Sequence, residues 1–213
     1  MIDLHTHTFF SDGVLNPSEL VYSEKFAGYE VIAITDHVDY SNYKQVIDAV
    51  KAVKNQLAKE YEITVLVGVE ITYVPPKYIK DLMDKCREYG AEIVVVHGET
   101  IAENVPKGTN HAAIEACVDI LAHPGDITEV DVMLAKENNV CLEITTRASH
   151  GKTNAHVATL ANKCGAKLVI NNDVHQPYDI ASKERLLEVA QEAGADYEKM
   201  LINSRDIVTR RKN

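Results

Sequence analysis

The sequence predicts an α/β fold of seven successive βα units, forming a single domain over residues 1–213. Three observations predict it. Seven short apolar runs have the length and β-branched content of buried parallel strands. A helical pattern follows nearly every run. No linker, low-complexity tract or composition shift divides the chain. Seven such units close either as an open doubly wound sheet or as a barrel. In both, the chemistry sits beyond the C-terminal ends of the strands.

The strand runs are Ile2–His5, Val31–Thr35, Thr64–Val69, Glu92–Val96, Val118–Ala122, Cys141–Thr145 and Lys167–Asn171. The first helix opens at Asn16-Pro17-Ser18-Glu19, with asparagine as N-cap and proline at the first helical position. Val46, Ile47, Val50, Val53 and Leu57 form an apolar stripe on the second helix. Ile79, Leu82, Met83 and Cys86 do the same on the third, which Gly90 stops. Shorter helices are expected at Asn110–Ala116, Glu129–Asn138, Asn154–Cys164 and Lys183–Ala193.

Composition narrows the class. The chain is 25% charged and 46% hydrophobic, ordinary values for a globular protein. It has no apolar run long enough for a membrane span and no secretory h-region, so a cytoplasmic enzyme is expected. The formal net charge of −10 argues against wrapping extended nucleic acid, which calls for a basic stripe. The basic cluster Arg210-Arg211-Lys212 reads as a solvated terminus. Cys86, Cys117, Cys141 and Cys164 lack any C-x-x-C spacing and read as small, mostly buried hydrophobes in a reducing compartment. Oligomeric state is not encoded in any visible pattern.

The strand ends carry the signal. The first runs into His5-Thr6-His7 and Ser11-Asp12-Gly13, and the second ends in Asp36-His37. The third ends in Glu70, the fourth in His97, the fifth in His123 and the seventh in Asp173-Val174-His175. A lone histidine at a strand end is usually a capping or surface residue. Repetition at one end of strand after strand is not explained that way. If the ends converge, six imidazoles and three carboxylates share one rim. Without cations that rim crowds desolvated polar groups at high cost; with divalent ions it is compensated. His5 and His7, two apart in extended chain, point the same way. Gly13 is expected to allow the sharp turn that brings Asp12 inward, and Glu70 can bridge two cations.

These segments resemble the polymerase and histidinol phosphatase (PHP) family of metal-dependent phosphoesterases. The resemblance rests on Asp3-Leu4-His5-Thr6-His7, Ser11-Asp12-Gly13, Ile34-Thr35-Asp36-His37, Gly68-Val69-Glu70, His97-Gly98, Ala122-His123-Pro124 and Asn172-Asp173-Val174-His175. It implies a distorted seven-stranded, TIM-like (β/α) barrel and three divalent ions of zinc, iron or manganese. It implies that His5, His7, Glu70 and Asp173 hold the first ion. Glu70 would bridge to a second ion with His97 and His123, and Asp12, His37 and His175 would hold the third. The nine ligands contribute about −3 and the ions about +6, so an acidic protein presents a positive site to an anion.

The expected reaction is hydrolysis of a small anionic phosphate monoester, histidinol phosphate being one substrate the family suggests, by a metal-bridging hydroxide attacking in line. The loop after the sixth strand, Thr146–Asn154, supplies the candidate catalytic residues. Arg147 is expected to clamp phosphate, Lys152 to add charge and His150 to protonate the leaving oxygen. Its Gly-Lys-Thr is not a P-loop, because Thr146 stands where that spacing needs glycine. His111 and His156 read as structural or surface residues, and Asp36 and Glu143 as candidates to orient ligand imidazoles. The alternatives are a phosphodiesterase or exonuclease acting on nucleotide or short nucleic-acid ends, an inactive metal-binding module, and an amidohydrolase-like enzyme. The last is disfavoured because Glu70, not lysine, holds the bridging place.

Overall fold

The computed structural model describes residues 1–212; the side chains of Arg211 and Lys212 lie outside the described part. The basic-tail reading therefore rests on Arg210, which is exposed. All seven expected strands form: β1 (Ile2–Asp3), β2 (Val31–Ile34), β4 (Thr64–Ile71), β5 (Ile93–His97), β6 (Ile120–Ala122), β7 (Cys141–Thr145) and β8 (Leu168–Asn171). An eighth, β3 (His37–Val38), was not expected. It continues β2 along β4 in unbroken register, Ile34 lying opposite Val67 and His37 opposite Glu70. The strand is interrupted where Thr35 turns its hydroxyl to the backbone of Thr6. Gly68 makes room for it: a Cβ there would lie 2.5 Å from Thr35 Cγ2.

Every pairing is parallel, in the order β1-β2-β4-β5-β6-β7-β8. The sheet closes on itself between the ends of β1 and β8. Asp173 N–H donates to His5 O at 3.0 Å and His7 N–H to Val174 O at 2.8 Å. The seam is distorted because side chains replace backbone partners. Leu4 N–H donates to Asn171 Oδ1, and Asn172 Nδ2 donates to Asp3 Oδ2. The result is a nearly closed, distorted TIM-like barrel.

Helices α1 (Pro17–Phe26), α2 (Tyr43–Tyr61), α3 (Ile79–Tyr89), α4 (Thr109–Glu115), α5 (Glu129–Glu137), α6 (Asn154–Cys164) and α7 (Lys183–Ala193) follow the expected patterns. Asn16 caps α1 by accepting from Glu19 N–H, and α3 stops at Gly90 in the left-handed region. Three-residue 3₁₀ turns lie at Pro76–Tyr78, Gly151–Thr153 and Pro177–Asp179. Among the described residues, no helix is long and apolar enough to cross a membrane. Cys86 and Cys141 are buried, but Cys117 lies beyond the end of α4, exposed and with φ of 58°. It does not take the buried place expected for the cysteines.

The largest departure from expectation is α8 (Tyr197–Lys212). Outward strand residues pack under the helical ring, and inward ones such as Leu66, Ile93, Val95 and Ile120 fill the lower lumen. Ile207 and Val208 of α8 join that lumen cluster, so the helix plugs the end opposite the C-terminal rim of the strands. Ile207 is fully buried. Ile207→Ala is expected to cost about 2–5 kcal/mol, read by urea denaturation, with metal content per folded molecule unchanged.

Candidate metal centre

Side chains alternate across each strand, so residues sharing the parity of lumen residues climb toward the rim. On β4, Leu66 lies low in the lumen and Glu70 stands two pleats higher. On β7, Glu143 rises above Cys141, and on β5 His97 stands above Val95. Seven of the nine histidines meet at this rim. His5, His7, His97, His123, His150 and His175 are buried, and His37 is partly so.

Glu70 stands at the centre, fully buried. Its Oε1 lies 3.3 Å from His5 Nε2, 3.3 Å from His97 Nδ1 and 3.8 Å from His123 Nε2. Its Oε2 lies 3.5 Å from His7 Nε2 and 2.7 Å from His37 Nδ1. Asp173 faces it across the rim, with Oδ1 3.2 Å from His7 Nε2 and 3.6 Å from His5 Nε2. Asp12 is exposed, and its Oδ1 lies 3.1 Å from His175 Nε2 and 3.5 Å from His37 Nε2. All nine sequence-selected groups are thus brought together. Gly13 acts differently from expectation. It is not left-handed; a Cβ there would lie 2.5 Å from His7 O, so glycine lets the Asp12 loop fold onto the His7 backbone.

Several residues fix these rings. Glu143 Oε2 accepts from His5 Nδ1 at 2.8 Å, the orienting role considered for it, and also from Asn171 Nδ2. Thr72 Oγ1 lies 2.7 Å from His37 Nδ1. Asp36 serves another purpose than orienting His37. It accepts from Thr8 N–H, Thr8 Oγ1 and Ser11 Oγ, fixing the loop that carries Asp12. His175 Nδ1 has two exclusive partners. It lies 2.8 Å from Arg147 Nη1 and 3.0 Å from Asp173 O. If Nδ1 accepts from Arg147, the Nε2 proton faces Asp12; if it donates to the carbonyl, the Nε2 lone pair is free.

The expected catalytic trio separates. His150 is buried in the cavity wall, stacked on His123 at 4.3 Å, with Nε2 4.0 Å from Asp173 Oδ2 and Nδ1 2.8 Å from Thr100 Oγ1. Arg147 reaches the rim, partly buried, against Asp173 and Asp179. Lys152 is exposed and does not line the cavity. The sequence reading missed Glu103, in the loop after β5, which lies 3.3 Å from His97 Nε2 and 3.6 Å from His150 Nε2. No spacing rule marks an acid six residues past a strand end. His111 is exposed and pairs with Asp131, while His156 Nε2 bonds Ile127 O, both outside the cluster as expected.

The atoms left without hydrogen-bond partners identify the cradle. They include His5 Nε2, His7 Nε2, both Glu70 oxygens, both His97 ring nitrogens and His123 Nδ1, all buried. Buried polar atoms are almost always paired. Here unpaired nitrogen and oxygen donors converge, the donor set that binds divalent first-row metals. Four-atom proximity recurs within the cluster at His7, Asp12, His37 and His175. Away from the rim, both Glu24 oxygens are also unpartnered, and burial pushes that carboxyl upward, toward its neutral form.

Charge alternates in the metal-free cluster. Burial opposes ionisation of Glu70 and Asp173, but neighbouring imidazoles, His5 foremost, hold both well below the usual carboxylate range. Burial also opposes the imidazolium forms, yet the carboxylates raise His37 to about 10 and His97 to about 9. His7 goes the other way, down to about 3, because burial and the charge on His37 both disfavour its proton. Two candidate ligands, His123 and Asp173, have left-handed backbones with φ of 26° and 55°. Such strain costs about 1–3 kcal/mol per residue and clusters at functional sites.

Barrel, rim and donor set define a metal-dependent hydrolase of phosphate esters. The PHP domain family profile matches residues 3–202, and the chain belongs to that family. It is 47% identical to an uncharacterized protein of Methanocaldococcus jannaschii over 90% of this chain and 89% of the relative. It is 24% identical to a protein of a Thermoanaerobacter species named "Probable phosphatase", over 91% of this chain and 86% of that one. Its fold is similar to a chain in the cryo-EM structure of archaeal ribonuclease P with mature tRNA. The TM-score is 0.76 at 21% identity, covering 99% of this chain and 91% of the other.

Two outcomes follow. Below pH 9 the metal-free site holds protons on His37 and His97, and a cation must displace them before a lone pair can bind. Titrating zinc or manganese into chelator-treated protein at pH 7 in weak buffer is expected to release protons, less so as pH rises through 9 and 10. A pH-independent uptake of metal with no proton release would contradict this charge pattern. Glu143→Gln, which weakens the hold on His5, is expected to lower metal affinity roughly 10- to 100-fold, measured by chelator competition, with circular dichroism unchanged.

Proposed function

We propose that the rim binds three divalent ions of zinc, iron or manganese, and that the enzyme removes phosphate from a small monoester. The observation that carries this reading is the convergence of unpartnered buried nitrogens and oxygens on Glu70 and Asp173. His5, His7, Glu70 and Asp173 suit one ion, Glu70 with His97 and His123 a second, and Asp12, His37 and His175 a third. When bound, divalent ions supply an activated water at neutral pH and charge to stabilise the phosphoryl oxygens.

The chain's own residues do the rest. Glu143 holds the His5 proton on Nδ1, leaving Nε2 as the donor. Glu103, 3.3 Å from His97 Nε2, acts on that ring through charge, without the hydrogen bond that Glu143 makes to His5. Arg147, at the cavity edge, binds a phosphate oxygen once its guanidinium turns from His175. His150 is kept largely neutral by burial. Its imidazolium form, with Nδ1 donating to Thr100, gives the Nε2 proton to the leaving oxygen and returns to the neutral ring. No role is assigned to Lys152.

The cavity has a volume of about 400 Å³, suited to a small ester. Diester cleavage at nucleic-acid ends is the second reading, supported by the fold shared with the ribonuclease P chain. The net charge of −10 and the acids Asp12, Asp39 and Glu103 around the opening disfavour a long polyanion. Elemental analysis should find bound transition metal. After that metal is restored, p-nitrophenyl phosphate should be hydrolysed faster than bis(p-nitrophenyl) phosphate. His97→Ala and Asp173→Ala should each reduce turnover by more than the roughly 100-fold expected for an outer partner. Full activity in both variants would rule out the assignment.

A further inference from the structure

Beside the metal cavity lies a second recess, with a volume of about 780 Å³, walled by Tyr40, Tyr73, Tyr78 and Pro75. The two spaces share Asp39 and Tyr73. We propose that this recess is a base-stacking subsite, so that the ester hydrolysed at the neighbouring centre is a nucleotide. The proposal rests on the phosphoesterase reading of that centre.

Three features support it. First, the rings are arranged as a platform. Tyr40 and Tyr78 meet edge to face, 6.4 Å between centroids at 88°, leaving a flat wall and a perpendicular one. All three tyrosines are exposed, an unusual concentration of aromatic surface next to a catalytic cavity. Second, Tyr73 joins the two spaces. Its ring stacks on His97 at 5.9 Å and its hydroxyl donates to Glu103 at 3.0 Å. Its backbone is left-handed, with φ of 55°, a strained state for a bulky residue. That backbone holds an exposed ring at the junction.

Third, the two acids of the recess are differently engaged, Asp81 by a cation and Asp39 by neutral donors alone. Asp81 accepts from Lys85 at 2.6 Å and from Tyr40 Oη at 2.7 Å. Asp39 accepts from Ser41 N–H at 2.7 Å and Ser41 Oγ at 2.6 Å. Lys85 offsets the charge of Asp81, and Asp39 stays ionised with its second oxygen available as an acceptor beside the rings. The recess suits a flat, uncharged ring whose amino edge can donate to the remaining carboxylate lone pairs. A nucleobase has that chemistry, and its ester phosphate lies within a few bonds of it.

The test compares adenosine monophosphate with glycerol phosphate as substrates of the metal-loaded enzyme. The nucleotide is expected to have the higher kcat/KM. In Tyr40→Leu and Tyr78→Leu the ratio of nucleotide to glycerol phosphate kcat/KM should fall roughly 5- to 100-fold through KM, the loss expected for one stacking partner. Tyr40→Phe, which keeps the ring, should retain the preference. Saturation-transfer NMR of adenosine with chelator-treated protein gives a readout independent of turnover. The base protons should saturate more strongly than the ribose protons, and the leucine variants should lose the effect. Equal kcat/KM for both substrates, unaltered in the variants and without base saturation, would overturn the subsite while leaving the phosphoesterase reading intact. No phosphate release from any ester would instead count against that reading, and the NMR result would still decide the subsite.

Discussion

The structure depends on one electrostatic constraint: a fully buried carboxylate, Glu70, surrounded by five imidazoles within 4 Å. In a water-poor pocket such groups cannot all be neutral and unpaired, nor all charged. Without cations the cluster compromises. Glu70 and Asp173 stay ionised, His37 and His97 keep protons, and His7 stays neutral between them. Divalent ions resolve the same conflict more completely, because each can take several of the idle lone pairs at once. The left-handed backbones at His123 and Asp173 fit this picture, since strain is kept where geometry matters more than local stability.

The barrel separates stability from chemistry along its axis. Its lower lumen is lined by apolar residues and sealed by Ile207 and Val208. Its upper lumen turns polar within one or two pleats of the same strands. Glu70, His97 and Glu143 occupy the positions that Leu66, Val95 and Cys141 occupy below them. The seam between β1 and β8 carries the cost of this arrangement. Its amides turn to the side chains of Asp3 and Asn171, and the strands there are short. The seam lies under His5, His7, Asp173 and His175, so the sheet is distorted where it supplies four of the candidate ligands.

Much of the site was legible from the chain because strand ends are legible. A run of β-branched residues ending in histidine or a carboxylate is a local signal. Of the six candidate histidines, His5, His97 and His123 sit in or next to such runs, His37 lies two residues past one, and His7 and His175 are placed by their two-residue spacing from His5 and Asp173. Other features were not local. Glu103 lies in a loop with no periodicity, and only the folded position of that loop brings it to His97 and His150. The helix α8 escaped notice because its apolar residues are sparse and its polar ones many. Its core contact is made mainly by Met200, Ile207 and Val208. Lys152 shows the reverse error: a basic residue in a promising loop that the fold leaves outside the cavity.

By itself, then, the sequence determined the α/β class, the strand order along the chain, and nine side chains that the fold brings together at the rim. Those properties follow from side-chain periodicity and from which residue types end each strand, both local. The tertiary structure alone decided which ring nitrogen faces which oxygen, that Asp36 holds a loop instead of His37, and that a tyrosine recess adjoins the rim. Those depend on closure at the β1–β8 seam and on loop packing, where residues more than a hundred positions apart settle one another's orientation through hydrogen bonds that no short stretch of chain encodes.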